Sequence, residues 1–472
     1  MGRRAELVEI ELPEFGLPYI EPVIPAETYC QRIDEIRARA REVGYDVLVV
    51  YGDREHFANM AYLTGYDPRF EEGLLVLDIN RQCSRRPVLL VGHEGLGYVE
   101  ISPMRCDLET VLYPGFSLMG QDRSGCQEIE EILTAAGVER SSRVGVAGWK
   151  YFTPLEARAP ETWLETPSYI ADALRKLCGG REYVRNANDI FMDPGCGVRT
   201  VNDVDQLASF EYAAAHSSQA VRNALFGLRP GMSEFEAVEL MRLKGLPLSC
   251  HLMLSTGPRA FMGLPSPSSR RMERGDPFTT ACGFWGALTC RAGFLVEDAW
   301  ELPHGIFDYV ERLVAPYFEA IASWYKRVGI GVSGGELYRA IHDRIGDPFF
   351  GVSLNPGHII HLDEWVHSPF YEGSTIPLHS GMALQVDVIP ATHTPYFTTN
   401  IEDGIALADD ALRKRFEDSY PEAWERVQAR RAFMEDELGM RVKPEVMPFS
   451  NIPSYLPPFL LSPKMAMRMA PT

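Results

Sequence analysis

The sequence predicts a mixed α/β protein with two domains. The chain has 472 residues, of which 46% are hydrophobic and 24% are charged, so it is long enough for two or three domains with full cores. Its first half alternates helical patterns with short apolar runs, and its second half twice shows helices followed by a pair of strands. The predicted boundary is a linker at residues 188–202, where Asn, Asp, Gly and Pro interrupt the pattern.

The first predicted domain, residues 26–187, is expected to contain a mixed sheet with helices on its faces. Short apolar runs are typical of buried strands, and their alternation with helical patterns indicates helices layered over a sheet. The runs that predict strands are residues 46–51, 73–79, 87–92 and 143–147.

The second predicted domain, residues 203–440, opens with a long amphipathic helix capped by Asn202 or Asp203. Strand patterns follow between about 275 and 300, and again between 381 and 408. Two further helices begin with the reciprocal hydrogen bonds of a capping box. The capping pairs are Ser233 with Glu236 and Ser333 with Glu336.

Two terminal segments lie outside the predicted domains, at residues 1–25 and 441–472. The second is rich in proline and shows no obvious apolar core. We expect both to be arms, the C-terminal one extended along the surface or along a neighbouring subunit.

The composition argues against several classes of partner. A formal net charge of −19 disfavours nucleic acid and anionic membranes, because phosphate groups are bound by clustered Lys and Arg. No apolar run has the length of a membrane span, and the first residues lack the apolar stretch of a signal peptide. The nine cysteines include no CxxC pair, which favours reduced thiols. We therefore expect a cytoplasmic protein, and the charge leaves open a small cationic ligand.

The densest group of polar residues is GHIIHLDEWVH at residues 357–367. Further acids stand inside two later apolar runs, where an unpaired charge is expensive to bury. Asp387, in ALQVDVIP, is the clearest example. The candidate site residues from these segments are His358, His361, Asp363, Glu364, His367, Asp387, Glu402 and Asp403.

Short polar motifs open or lie within the predicted strands of the second domain, in the order Gly275-Asp276, Arg291, Gly357-His358, Gly381-Met382 with Asp387, and Asn400-Ile401-Glu402-Asp403. This order resembles the pita-bread superfamily of methionine aminopeptidase, prolidase, aminopeptidase P, creatinase and the bacterial dimethylsulfoniopropionate lyases. Residues 57–77 resemble part of the creatinase and prolidase N-terminal domain. The resemblance implies a creatinase/prolidase-type mixed-sheet domain followed by a pita-bread domain.

Metal-dependent members of this superfamily hold two metal ions with two aspartates, one histidine and two glutamates. The resemblance places the histidine at His358 and the glutamates at Asp387 and Glu402. The aspartates fall on Ala281 and Leu288, which cannot bind metal, whereas a bridging aspartate is needed to hold two ions about 3.5 to 4 Å apart. No cofactor is therefore predicted, although the three remaining residues could hold a single ion.

Creatinase lacks the metals and uses the vacated carboxylate positions to bind a guanidinium group, which implies the same role for Asp387 and Glu402. Two carboxylates facing one cavity repel each other unless a cation binds them or one is protonated. We expect a small cationic or zwitterionic substrate, with His358 as proton carrier. The other predicted substrate contacts are Arg291, His361, Asp363, Glu364, His367 and Arg259, the last in a run LSTGPR that resembles the lyases.

Creatinase-like dimers close the pocket of one subunit with the N-terminal domain of the other. The resemblance therefore implies a homodimer, in which Arg69 and Phe70 are candidates for a substrate contact across subunits. Three functions follow as alternatives. They are a metal-independent, creatinase-like enzyme acting on a carbon–nitrogen bond, a one-metal lyase or hydrolase, and a non-catalytic module that binds a ligand or a protein.

Overall fold

The computed structural model describes residues 4–80 and 86–471, which divide into two compact units. The smaller unit is Ile24–Arg199. The larger unit combines the described residues before Ile24 with those from Thr200 onward. The α/β class and the two-part organisation agree with the prediction, but the terminal segments and the expected linker are placed differently.

The smaller unit contains a mixed sheet. After strand β1 (Ala5–Glu9), which belongs to the larger unit, its strands are β2 (Val47–Gly52), β3 (Gly73–Asp78), β4 (Val88–Val91), β5 (Glu109–Leu112), β6 (Val144–Ala147) and β7 (Val184–Asn186). Its helices are α1 (Ala26–Val43), α2 (Ala58–Thr64), α3 (His93–Tyr98), α4 (Ile129–Ala135), α5 (Ser168–Cys178) and α6 (Asp189–Met192). The strand order is β5-β4-β3-β2-β6-β7.

The mixed character of this sheet confirms the prediction, because β2 pairs antiparallel with β3 and parallel with β6. The four predicted strands are β2, β3, β4 and β6, and all four are buried along their whole length. Ile170, Leu174 and Cys178 of α5 pack into the same core, since residues four apart lie on one face of a helix.

Residues 188–199 belong to the smaller unit and do not form the predicted linker. The fully buried Asn188 donates from Nδ2 to the carbonyl oxygen of Lys150 at 3.0 Å. Arg199 is also buried and donates to Asn59 Oδ1 at 2.7 Å. The polar residues that suggested a linker therefore supply buried hydrogen bonds, which buried polar groups require.

The larger unit is built on a second, antiparallel sheet. Besides β1, the strands of this unit are β8 (Met253–Thr256), β9 (Pro277–Phe284), β10 (Ala287–Phe294), β11 (His358–Ile359), β12 (Ala383–Val388), β13 (Asn400–Leu407), β14 (Val446–Pro448) and β15 (Met465–Met469). Its helices are α7 (Val204–Gly227), α8 (Glu234–Met241), α9 (Ala315–Arg327), α10 (Gly334–Ile345), α11 (Asp410–Ser419) and α12 (Pro421–Asp436). The main sheet has the order β11-β12-β13-β10-β9-β8, with β14 beside β13.

The predicted helix starts in this unit are confirmed. The carboxylate of Asp203 accepts a hydrogen bond from a backbone N–H in the first turn of α7. At α8, Ser233 and Glu236 exchange hydrogen bonds of 2.6 and 3.1 Å, and the pair Ser333 and Glu336 forms the second capping box at α10. These side chains satisfy donors that the helix leaves unpaired.

Residues 4–23 and 441–471 are part of the larger unit, so the terminal segments are not the predicted arms. β1 pairs antiparallel with β15, and β14 extends the main sheet. Residues 446–460 are buried, and the hydroxyl of Tyr455 donates to the carbonyl oxygen of Pro463 at 2.7 Å. Proline has no N–H to satisfy, so a proline-rich segment leaves fewer buried donors unpaired.

The eight cysteines among the described residues are free thiols, and Cys83 lies outside those residues. Cys282 is in β9 and Cys290 is in β10. Within the described chain, no helix combines the length and hydropathy of a membrane span.

Candidate active site

The candidate site follows a row of residues that lie directly opposite each other on neighbouring strands of the main sheet. Asp387 of β12 is opposite Glu402 of β13, and Glu402 is opposite Cys290 of β10. The row continues from Cys290 to Ala281 of β9 and then to Met253 of β8. Because opposite residues point to the same face of a sheet, this face changes from acidic at one end to apolar at the other.

His358 joins the acidic end of the row from β11. It is opposite Gln385, which precedes Asp387 by two residues on β12, so the two side chains share one face. Gly357 before it has φ 115°, and a Cβ there would lie 2.5 Å from the Gln385 carbonyl oxygen, so this turn requires glycine. Side-chain atoms of His358, Asp387 and Glu402 lie within 4.8 Å of one another. The fold thus brings together the three side chains that the sequence assigned to one site.

Glu364 adds a third carboxylate to this cluster. His358 Nε2 is 3.2 Å from Glu364 Oε1 and 3.4 Å from Glu402 Oε1. These are ion-pair distances, although His358 Nε2 forms no hydrogen bond with the described residues. The imidazole therefore lies between two carboxylates, with Asp387 close by.

The cluster shifts the pKa of each of its members. Burial alone would lower the pKa of His358, but Glu364 and Glu402 raise it well above its ordinary value. Burial alone would raise the pKa of Glu364, but His358 lowers it. Burial, and then the charge of Glu402, raise the pKa of Asp387 well above its ordinary value, and burial raises that of Glu402. The acids outnumber the base, so the Asp387–Glu402 pair retains a proton more readily than ordinary carboxylates do.

A cavity of about 500 Å³ lies beside the row, a volume typical of small-molecule sites. Glu364, Asp387 and Glu402 line it, whereas His358 is not among its described lining residues. Those lining residues also include no lysine or arginine. The larger apolar side chains of the wall are Met253, Phe261, Leu264, Leu288, Leu354, Ile389, Pro390 and Phe397.

The loop between β12 and β13 forms part of this wall. His393 and Phe397 have φ of 51° and 62°, a left-handed conformation that is costly for residues with a side chain. The hydroxyl of Thr392 donates to the Phe397 carbonyl oxygen at 2.7 Å, and the Phe397 ring packs edge-on against Phe261 at 5.1 Å. These contacts stabilise the strained loop and hold the aromatic ring at the cavity.

Two residues of the site were not predicted from the sequence. The Cys290 sulfur is 2.7 Å from Glu402 Oε2, to which it donates; burial, and then the charge of Glu402, raise the pKa of this thiol well above its ordinary value. Asn400 lines the cavity, and its Oδ1 has no hydrogen-bond partner among the described residues. Strand alternation could have indicated Cys290, because it stands two residues after Leu288 and faces the same side.

Arg291 does not contact the cavity, contrary to the prediction that it binds substrate. Its fully buried guanidinium pairs with Asp403 at 2.7 Å and donates to the backbone carbonyl oxygens of Tyr455 and Ile452. Because it follows Cys290 on the same strand, its side chain points to the opposite face of the sheet. Its role is therefore to neutralise a buried acid.

Arg259 also forms an internal ion pair, with the fully buried Glu234 of α8. The same carboxylate accepts a hydrogen bond from the backbone N–H of Thr256 at 2.9 Å. Both bonds hold the helical turn Gly257–Met262, from which Phe261 reaches the cavity wall. Arg259 therefore positions this wall and is not itself a described lining residue.

The other predicted residues of the histidine-rich segment also lie outside the described cavity lining. His361 is fully buried, and Asp363 and His367 are partly exposed. An antiparallel backbone bridge between Ile359 and His367 folds the segment back on itself, which brings Glu364 near His358.

Arg69 and Phe70 lie in the smaller unit. Arg69 pairs with Asp67 at 3.0 Å, and its guanidinium is 4.8 Å from the centre of the Phe57 ring. Phe70 is 66% exposed. Their contact across a homodimer, and the homodimer itself, stay predictions.

The residues present do not fit the pair of metal ions that the superfamily implies. Ala281 and Leu288, at the two expected aspartate positions, both line the cavity and offer no ligand atom. The donors do fit a single ion. His358 Nε2, Asp387 Oδ1 and Glu402 Oε1 are buried and lack hydrogen-bond partners among the described residues. Each of the three residues also offers one ligand atom within 4.8 Å of those of the other two.

Three solved structures that resemble the chain are named as peptidases. A dipeptidase from Mycobacterium ulcerans matches with a TM-score of 0.58 at 17% identity, over 82% of this chain and 94% of that one. An Xaa-Pro dipeptidase from Bacillus anthracis matches with a TM-score of 0.59 at 17% identity, over 81% and 96%. An X-Pro aminopeptidase from Thermotoga maritima matches with a TM-score of 0.59 at 15% identity, over 80% and 95%. No protein-family model and no curated protein sequence matches the chain. At these identities the likeness defines the fold alone, and the chain has the two-domain, pita-bread fold of prolidase-type proteins.

Proposed function

We propose that the chain is a metal-independent, creatinase-like hydrolase that acts on a carbon–nitrogen bond of a small cationic or zwitterionic substrate. The main support is the charge of the cavity, which is lined by Glu364, Asp387 and Glu402 and by no described lysine or arginine. Buried acids in excess are stable only when they hold protons or a cation. A positively charged substrate group would supply that cation.

In this proposal Asp387 and Glu402 bind the positive group through charge-assisted hydrogen bonds. His358 contacts the carboxylates and not the cavity, so it exchanges protons with the substrate through Glu402 or Glu364. Hydrolysis requires water oxygen to bond to the substrate carbon while the carbon–nitrogen bond breaks. One water proton passes to a carboxylate that acts as the base, and the leaving nitrogen takes up a proton from the acid. In this proposal both protons are exchanged with His358 through Glu402 or Glu364.

Binding of amines and guanidines to chelator-treated protein tests the proposal directly. We expect calorimetry to detect at least one such ligand, the Asp387→Asn variant to bind it more weakly, and prolonged incubation to release ammonia or an amine. If wild type neither binds a cation nor releases a nitrogen product, the proposal fails and the non-catalytic binding module replaces it.

A one-metal lyase or hydrolase is the second candidate, favoured by the three buried donor atoms that lack partners. His358, Asp387 and Glu402 would hold the ion, which would supply Lewis-acid chemistry when bound. The two candidates differ in metal content. The first predicts far less than two ions per subunit and activity that survives chelation. One ion per subunit, with activity lost on chelation and restored by the metal, would establish the second.

A further inference from the structure

We infer that the site takes a primary amine or guanidine on an apolar body that carries no carboxylate. This inference rests on the proposed function and narrows its substrate class. It follows from three features of the cavity. Its lining has little positive charge, some of its hydrogen-bond acceptors have no donor, and the row of opposite residues along the strands ends in apolar side chains.

The cavity offers little to neutralise a substrate carboxylate. Its described lining contains three carboxylates and no lysine or arginine. Two histidines, His251 and His393, are the basic side chains of that lining, and His251 Nε2 already bonds the Leu264 carbonyl oxygen at 2.8 Å. A fourth carboxylate buried here would face like charges without a counter-ion, which is costly.

The polar residues that line the cavity instead favour a ligand that donates N–H hydrogen bonds. Asp387 Oδ1 and Asn400 Oδ1 are buried acceptors that have no hydrogen-bond partner in the described part of the chain. Glu402 Oε1 also lacks a hydrogen bond there, although the His358 ring nitrogen lies at an ion-pair distance of 3.4 Å. A buried acceptor without a donor is destabilising. A primary ammonium or guanidinium group brings several donors, whereas a quaternary ammonium group brings none.

The rest of the row sets the character of the substrate body. Ala281 and Met253 lie two and three strands from Glu402 along the row. With neighbouring strands about 4.8 Å apart, Ala281 is roughly 10 Å from the acid. A short alkyl or phenyl body attached to the cation spans that distance and meets the apolar side chains of Leu288 and Phe397.

Matched ligand pairs test this inference on the metal-free, full-length protein. Each amine is its amino acid without the carboxylate: phenethylamine with phenylalanine, isopentylamine with leucine, and agmatine with arginine. Calorimetry should show at least one amine binding roughly tenfold or more tightly than its partner, the scale of a buried charged hydrogen bond. Trimethylated phenethylamine should bind at least roughly tenfold more weakly than phenethylamine for the same reason.

The outcomes separate this inference from the proposed function. If an amino acid binds as tightly as its amine, the exclusion of the carboxylate is wrong while the cation site stands. If the trimethylated ligand binds as tightly as phenethylamine, the need for N–H donors is wrong. If none of the amines or amino acids binds, the proposed function itself fails. The Asp387→Asn variant should lose affinity for the amine but not for neutral 2-phenylethanol, which places the loss at the cation.

Discussion

Glu402 and Asp403 are neighbours on β13, yet they meet opposite environments. Asp403 Oδ2 accepts hydrogen bonds from Arg291 at 2.7 Å and from the backbone N–H of Ser454 at 2.8 Å. Glu402 points to the other face, where it meets His358 and two further carboxylates at a cavity. One buried acid is neutralised by the chain itself, whereas the other belongs to a cluster with more acids than bases. Buried charge therefore indicates a ligand site only where no protein cation completes it.

The largest expected effect concerns the structural side of this comparison. Arg291→Met leaves Asp403 buried without a counter-ion, and it should lower the free energy of unfolding by about 3 to 5 kcal/mol. Urea denaturation measures the loss. The double variant Arg291→Met, Asp403→Leu should recover much of it, because both charges are then gone. Glu402→Gln removes a charge on the other face of the sheet and should change the free energy of unfolding little. An equal loss in this variant would show that the two acids do not differ in this way.

The catalytic side is tested at His358. His358→Ala should lower turnover by about 10² to 10⁴ with a smaller change in substrate affinity, the range expected on losing a general acid or base. Steady-state kinetics on a substrate found by the ligand screen measures both quantities. His342→Ala is the control, since His342 lies on α10 and stacks on Tyr338. A similar loss in both variants would argue against a proton-carrying role.

Binding by the two acids gives a smaller effect. Asp387→Asn and Glu402→Gln should each weaken cation binding by about 1.5 to 3 kcal/mol, the scale of a charge-assisted hydrogen bond. Calorimetry measures this change. Glu417→Gln, at a partly exposed side chain of α11, removes the same charge elsewhere, so an equal effect there would indicate a general influence of net charge.

Local signals carried most of what the sequence predicted correctly. The apolar runs became β2, β3, β4 and β6, and the capping residues mark the observed helix starts. The burial of the terminal segments was missed because it depends on pairing between Ala5 and Met469 at opposite ends of the chain. A local sequence pattern does not predict pairing between strands so far apart in the chain.

The site shows the same division between local and distant information. Asp387 and Glu402 were found because carboxylates inside apolar strands are unusual, and His358 because it lies in the dense polar segment at residues 357–367. Arg291 was placed at the site through the resemblance to the pita-bread superfamily, but the face it occupies follows from the pairing of β10 with β13. Cys290 was overlooked because a buried thiol resembles an ordinary apolar residue.

The smallest expected effect is a pH dependence that the raised pKa of Asp387 imposes on stability and binding. With this pKa above the unfolded value, folded protein holds a proton that unfolded protein has released. Stability should therefore fall as pH rises from the ordinary carboxylate range towards the raised pKa. The raised pKa of His358 acts in the same direction, because its stabilisation is lost as pH rises through the folded value.

Cation binding should show the opposite trend. The cation displaces the proton that the Asp387–Glu402 pair retains. Affinity should therefore increase with pH by at most about tenfold per pH unit for one proton. Calorimetry in buffers with different ionisation enthalpies should report uptake of that proton by the buffer. In Asp387→Asn the pH dependence of both stability and affinity should flatten. An unchanged slope would mean that the proton resides elsewhere, and that Glu402 is no more isolated from positive charge than Asp403.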